Sequence, residues 1–182
     1  MHSQVEGLIA EVRIRPASIA DVEALHAILV ECGFDMRDRL GLAHWVPAYP
    51  RQLFEEQAKE GEVYWIGVRE NDNPVATFTA SQEAPAYLNP SLWDSGGEPS
   101  FYLTRLAVLP RFQRRGIGRA CIGAVERLAL ERDCRSVRLD AAEQHARLLN
   151  WYVKLDYREV GRYEALGNRM AGFEKLITSQ QS

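Results

Sequence analysis

The sequence predicts an α/β protein built on a mixed sheet with helices on both faces. Three observations carry that reading. Short β-branched and aromatic runs alternate with longer stretches of helical periodicity. The strands come in runs with helices interleaved, the order of a mixed sheet. Residues 100–141 read strand–helix–strand, a crossover that makes its two strands parallel and its connection right-handed.

Each element has its own signal. "EVRIRP" (11–16) alternates and reads as a strand ended by Pro16. Residues 18–33 read as a helix: Ser18 caps it, Asp21 sits in its first turn, and Gly33 stops it. Val22, Leu25, Ile28 and Leu29 form its apolar stripe. Residues 34–48 are expected to be irregular, and a second helix follows Pro50 over "RQLFEEQAKEG". "EVYWIGVRE" (62–70) and "PVATFTASQ" (74–82) are strands, joined as a hairpin by "NDNP". Residues 83–99, rich in Pro, Gly and Ser, form a loop carrying Tyr87, Leu88, Leu92 and Trp93. Residues 100–109 are a long strand. Residues 116–133 are a helix with Ile117, Ala120, Cys121, Ala124 and Leu128 on one face. "RSVRLDA" (135–141) is a strand and "QHARLLNWYVKL" (144–155) a helix. "YREVGRYEAL" and "RMAGFEKLI" close the chain as an antiparallel pair. Residues 1–10 read as an N-terminal extension, 11–177 as a single domain, and 178–182 as a frayed tail.

The bulk properties narrow the function. The chain has 182 residues, 46% of them apolar, enough for one cored domain. A net charge of −3 argues against a dedicated nucleic-acid binder. No run approaches a membrane span, and the first residues lack the apolar core of a signal peptide, so a cytoplasmic location is expected. The three cysteines have no metal-ligand spacing and read as free thiols. The four histidines form no ligand motif, so no catalytic metal is expected.

Against this acidic background stands "RLAVLPRFQRRGIGR" (105–119), with five arginines and no carboxylate. A glycine-bearing turn that opens a helix after a strand is an anion site. The first helical N–H groups lack intrahelical partners, and glycine lets a phosphate approach them. The pattern is neither G-x-G-x-x-G nor a P-loop. Taken alone, it is also compatible with a solvated basic turn.

"LAVLPRFQRRGIGRACI", followed by "VRLDAAEQHARLLNWYVKLDY", resembles the GNAT superfamily of acyl-CoA-dependent N-acetyltransferases. The likeness covers Phe101 to Gly161, and the element order extends it over nearly the whole chain. Gln113, Gly116 and Gly118 match the family's Q-x-x-G-x-G signature. The resemblance implies the GNAT fold: a mostly antiparallel sheet of six to seven strands with a splayed parallel pair. It implies acetyl-CoA as co-substrate and no metal. The pyrophosphate would lie on the loop of Gln113, Arg114, Arg115, Gly116, Ile117, Gly118 and Arg119, chiefly on backbone amides. Arg111 would steer the cofactor or face solvent. The pantetheine arm would pair with the backbone of Leu106, Ala107 and Val108, and the Leu106 amide would polarise the thioester carbonyl.

Tyr152 matches the family's general acid near the thioester sulfur; a phenol holds its proton at neutral pH. Its other reading is an aromatic packed on a helix face. Asp140, twelve residues earlier, matches a catalytic carboxylate of the branch that acetylates ribosomal-protein N-termini. It could equally pair with Arg138 or face the next helix N-terminus. Tyr102 stands where other branches carry a glutamate; a water chain to Glu83 or a tyrosine, or prior deprotonation of the amine, would then serve. His145 replaces a cofactor-binding asparagine and is able to donate to the cofactor or act as a base. Asp156 replaces a glycine in "KLDY", and aspartate tolerates left-handed backbone.

The acceptor is expected at residues 34–60 and 83–99, which carry Phe34, Trp45, Tyr49, Tyr87 and Trp93 with Asp35, Asp38, Glu83 and Asp94. This mix suits a small cationic amine, although each aromatic also fits the role of pinning a loop. Acetyl transfer to a small primary amine by direct attack is the favoured reading. A protein N-terminal or lysine acetyltransferase and a non-catalytic acyl-CoA-binding module remain alternatives. The expected partners are acetyl-CoA and an amine, with neither nucleic acid nor membrane; a homodimer is left open.

Overall fold

A computed structural model describes residues 12–69, 71–88, 90–93 and 97–178. The expected extension at 1–10 lies outside them, as do Asp94 and tail residues 179–182. The elements run β1 (Val12–Pro16), α1 (Val22–Leu40), α2 (Arg51–Lys59), β2 (Val63–Val68), β3 (Asn71–Ser81), β4 (Ser100–Val108), α3 (Ile117–Glu131), β5 (Ser136–Ala142), α4 (Ala146–Val153), β6 (Arg158–Ala165) and β7 (Asn168–Leu176). The strands form one sheet of seven, in the order β1-β2-β3-β4-β5-β7-β6. It is mixed and mostly antiparallel, and β4 and β5 are parallel through Ser100↔Ser136, Phe101↔Val137 and Tyr102↔Arg138. The expected element order and the parallel pair are therefore present. Backbone contacts divide the chain into two units: residues 1–80 with 105–124, and 81–104 with 125–182.

In the first unit, β1, β2 and β3 form an antiparallel meander, with Ile14↔Ile66 and Tyr64↔Phe78 in register. Every residue of β2 is buried, as its unbroken apolar run requires. Val22, Leu25 and Leu29 of α1 pack with Phe54, Val63 and Trp65 in one apolar cluster. Two sequence readings are corrected here. Gly33 does not stop α1, which continues to Leu40. A Cβ at Gly33 would lie 2.7 Å from the Trp45 carbonyl oxygen, so this glycine serves close packing. The stop is Gly41, left-handed at φ 68, whose N–H bonds the Arg37 carbonyl at 3.0 Å. The turn assigned to Asn71–Pro74 lies inside β3, which already pairs Asn71 with Val68.

The start of α1 is held by Asp21. Its carboxylate accepts both Arg15 guanidinium nitrogens, at 2.8 and 2.9 Å, and the Ser18 N–H and Oγ at 2.7 Å each. The Arg15 hydrogen bond, opposed by burial and reinforced by Ser18, holds the Asp21 carboxyl well below the usual range. A depressed carboxyl stabilises the fold above its unfolded pKa, near 4, and loses that contribution as pH falls toward its folded value. Asp21→Asn is expected to cost about 1 kcal/mol at pH 7, allowing for solvent screening of the exposed arginine. In urea unfolding at pH 7 and at pH 2.5, the gap between variant and wild type narrows at the lower pH.

In the second unit, β7 lies between β5 and β6, with Asp140↔Gly172 and Gly161↔Gly172 in register. This glycine pair makes a slot. Cβ atoms at Gly161 and Gly172 would fall 2.6 and 2.5 Å from the Leu92 side-chain methyls. Leu92 therefore seats loop 83–99 on the β6–β7 hairpin. Trp93 is buried beside it, its indole N–H donating to the Phe173 carbonyl at 3.4 Å. Buried residues on α3 also differ from the expected stripe. Ile117, Cys121 and Ala124 are buried as read, joined by Ile122, Val125 and Ala129, whereas Ala120 and Leu128 are only half-buried.

All three cysteines are buried free thiols. Burial raises each of them, Cys32 and Cys121 to about 12 and Cys134 in the same direction.

Candidate active site

The end of β4 is fixed in the first unit. The Val108 carbonyl accepts the Cys32 thiol at 3.3 Å and the Gln113 amide at 3.0 Å. Gln113 thus ties the following loop to the strand. Within that loop Arg114 and Gly116 are both left-handed, at φ 63 and 81. Left-handed positions in a turn of this kind are able to direct backbone N–H groups to one side, an arrangement that suits an anion. The Ala120 N–H bonds the Gly116 carbonyl at 3.0 Å as α3 begins, so the amides ahead of it have no intrahelical acceptor. Gln113, Arg114, Arg115, Gly116 and Arg119 are exposed, and Gly118 is half-buried. The Ile117 side chain is buried in the core, leaving only its main chain for a ligand. The Arg115 guanidinium lies 5.3 Å from the Phe112 ring centre. Arg111 pairs with Glu31 at 2.9 Å on the surface.

One feature of β4 was invisible to periodicity. Arg105, immediately before Leu106, has φ 52. A left-handed arginine costs roughly 1–2 kcal/mol, and residues held in such conformations cluster at functional sites. Its side chain is well held: it donates to the Gln57 side chain and lies 4.5 Å from the Tyr49 ring centre. Half-buried Leu106 and Val108 and buried Ala107 follow, so a role for them rests on main-chain groups.

The second unit holds the candidate proton-transfer residues Tyr152, Asp140 and His145. Tyr152 on α4 is buried among Trp151, Phe173 and Tyr157, with ring centres 5.1, 5.6 and 6.0 Å away. Burial, and then the Asp140 charge, raises its hydroxyl well above the usual phenol range, so it keeps its proton. Asp140 on β5 accepts the Tyr163 hydroxyl at 2.7 Å. Burial raises its carboxyl, and the Tyr163 bond opposes that rise. Arg138, the ion-pair partner the sequence offered for Asp140, is instead bonded to Glu174 at 2.9 Å and to the Tyr102 hydroxyl at 3.0 Å. His145 is the N-cap of α4: its Nδ1 accepts the Leu148 N–H at 3.3 Å. A neutral ring used this way carries its proton on Nε2, which suits a donor better than a base. Asp156 is left-handed at φ 67, so the family's glycine turn survives the replacement. Of the carboxylates expected at the acceptor site, Asp38 is paired with Arg37 at 2.7 Å and Asp35 with Arg39. Sequence reasoning missed Tyr163 and the Arg105 kink, because neither belongs to a motif.

A mixed sheet of this order with a parallel β4–β5 pair is the architecture of a class of acetyltransferases, and comparison with known proteins gives the family. Residues 22–157 match the acetyltransferase (GNAT) family, and the chain belongs to it. It is 30% identical over 166 residues to YesJ of Bacillus subtilis (strain 168), named an uncharacterized N-acetyltransferase, covering 91% of this chain and 90% of that one. A GNAT-family acetyltransferase of Streptococcus agalactiae 2603 superposes with a TM-score of 0.77 at 16% identity, over 92% of this chain and 96% of the other. Arabidopsis thaliana NAA60, solved in complex with acetyl-CoA, superposes with a TM-score of 0.65 at 20% identity, over 91% and 98%. These two structural likenesses are of fold. No helix among the described residues is long and apolar enough to cross a membrane.

Proposed function

We propose that this acetyltransferase moves an acetyl group from acetyl-CoA to the primary amine of a small molecule by direct attack. The observation that carries the reading is the left-handed backbone at Arg114 and Gly116 directly ahead of α3. It fits a pyrophosphate: the amides of residues 114–119 hold it, Arg114, Arg115 and Arg119 add charge, and Gln113 fixes the loop. Acetyl-CoA supplies the activated thioester. The main chain of Leu106, Ala107 and Val108 lines up the pantetheine arm, and the Leu106 amide faces the carbonyl oxygen as it gains charge. His145 contributes a ring N–H to the cofactor. Tyr152 holds a proton for the departing sulfur, and Asp140 accepts one from the acceptor amine.

Loop 83–99 favours a small acceptor. Leu92 and Trp93 fasten it to the β6–β7 hairpin, whereas a polypeptide acceptor needs an open groove. The test is turnover of acetyl-CoA against a panel of small amines, peptides with free N-termini and lysine peptides, read by release of the CoA thiol. Small amines are expected to be acetylated. Turnover of peptides alone would reassign the acceptor, and calorimetric binding of acetyl-CoA without any turnover would leave a binding module.

A further inference from the structure

Tyr163 belongs to no motif and lies two strands from Asp140. Its hydroxyl nevertheless reaches over β7 to Asp140 Oδ2 at 2.7 Å. The register explains how. Asp140, Gly172 and Gly161 sit opposite one another across three strands, and Tyr163, two residues beyond Gly161 on the same face, pairs with Met170. With glycine as its residue opposite Asp140, β7 places no side chain in the way, and Leu92 and Trp93 cover that glycine from above. A half-buried carboxylate under such a cover would otherwise turn toward whichever donor is nearest.

We propose that Tyr163 is a positioning residue for Asp140, fixing one carboxylate oxygen so that the other is presented to the acceptor amine. This rests on the reading of Asp140 as the base. The carboxylate takes one proton from the ammonium form of the acceptor and becomes a carboxylic acid, freeing the nitrogen lone pair for attack. Tyr163 also sets the pH at which this is possible, because its hydrogen bond favours the ionised carboxylate against burial. The neighbouring groups do not titrate in its place. Tyr152 on α4 and Tyr163 itself are raised by burial and by the Asp140 charge, with Tyr87 of the loop adding to Tyr163, and Tyr152 and Tyr163 remain neutral. The Arg138–Glu174 pair on the same face of β5 and β7 is mutually engaged.

The test follows the Asp140 carboxyl carbon by NMR titration in the intact protein, alongside the pH profile of kcat/KM. In Tyr163→Phe the Asp140 midpoint and the rising limb are expected to move up together by about one pH unit, the worth of a hydrogen bond to a charged group. The activity loss is then about tenfold below the limb and vanishes above it; a merely structural role would lower activity equally at every pH. Replacing Tyr163 by 3,5-difluorotyrosine, which keeps the shape and strengthens the donor, moves the midpoint down. An Asp140 midpoint unmoved by either change overturns the proposal. A rising limb that survives Asp140→Asn overturns the base reading itself, and the proposal with it.

Discussion

Gly116→Glu lowers the affinity for acetyl-CoA by at least about a hundredfold, and this is the largest effect expected of any single exchange. Gly116 has φ 81, and a side chain there costs the fold roughly 1–2 kcal/mol with or without the cofactor, so this strain cancels in binding. In the proposed site the new carboxylate would stand where a doubly charged pyrophosphate lies, and each of the two charge pairs at about 4 Å opposes binding by about 1–4 kcal/mol. Two such pairs, taken toward the middle of that range, exceed about 2.7 kcal/mol, which is two decades of affinity. Only the strain term reaches the free protein, because Gly116 is exposed, so its melting temperature drops by a few degrees at most. Isothermal calorimetry with acetyl-CoA decides the matter. Wild-type affinity in a folded variant would mean that the cofactor's phosphates are held elsewhere.

The second large effect is on turnover. Tyr152→Phe keeps the ring contacts with Trp151, Tyr157 and Phe173 and removes the proton. General acids contribute about 10²–10⁴-fold, and a loss of about 10²-fold in kcat is expected with acetyl-CoA affinity nearly kept. The raised hydroxyl adds a condition on pH. Because burial holds Tyr152 protonated well into the alkaline range, its ionisation contributes no falling limb to the wild-type profile near neutrality. Single-turnover measurements separate the chemical step from product release. Equal rates for the two proteins would assign protonation of the sulfur to water.

The element order was legible because hydrophobic period and turn chemistry act locally. Val22, Leu25, Ile28 and Leu29 declare a helix wherever they occur, and they are buried as read. The turn ahead of α3 was legible for the same reason: the left-handed Gly116 and the Gln113 side-chain bond to Val108 are local features. Gly33 was misread because glycine has two uses, ending a helix and admitting a neighbour, and only the distant Trp45 decides between them. The Arg105 kink has no local cause in composition; its offsetting contacts come from Gln57 and Tyr49, about fifty residues away. Tyr163 was out of reach for a similar reason. Its meeting with Asp140 depends on two strand registers and a glycine between them, none of which the 23-residue separation in sequence encodes.

The burial of the three cysteines has a use at the bench. Thiol reagents react with the thiolate, and a thiol raised to about 12, as Cys32 and Cys121 are, is ionised in roughly one molecule in ten thousand at pH 8. A chromogenic disulfide added to an acetylation mixture therefore counts coenzyme A as it is released and spares Cys32 and Cys121 of the folded enzyme. The same reagent, added after denaturant, finds 3 thiols per chain and gives the enzyme concentration. One cuvette then yields both product and catalyst, and hence a turnover number for any amine, without a second assay.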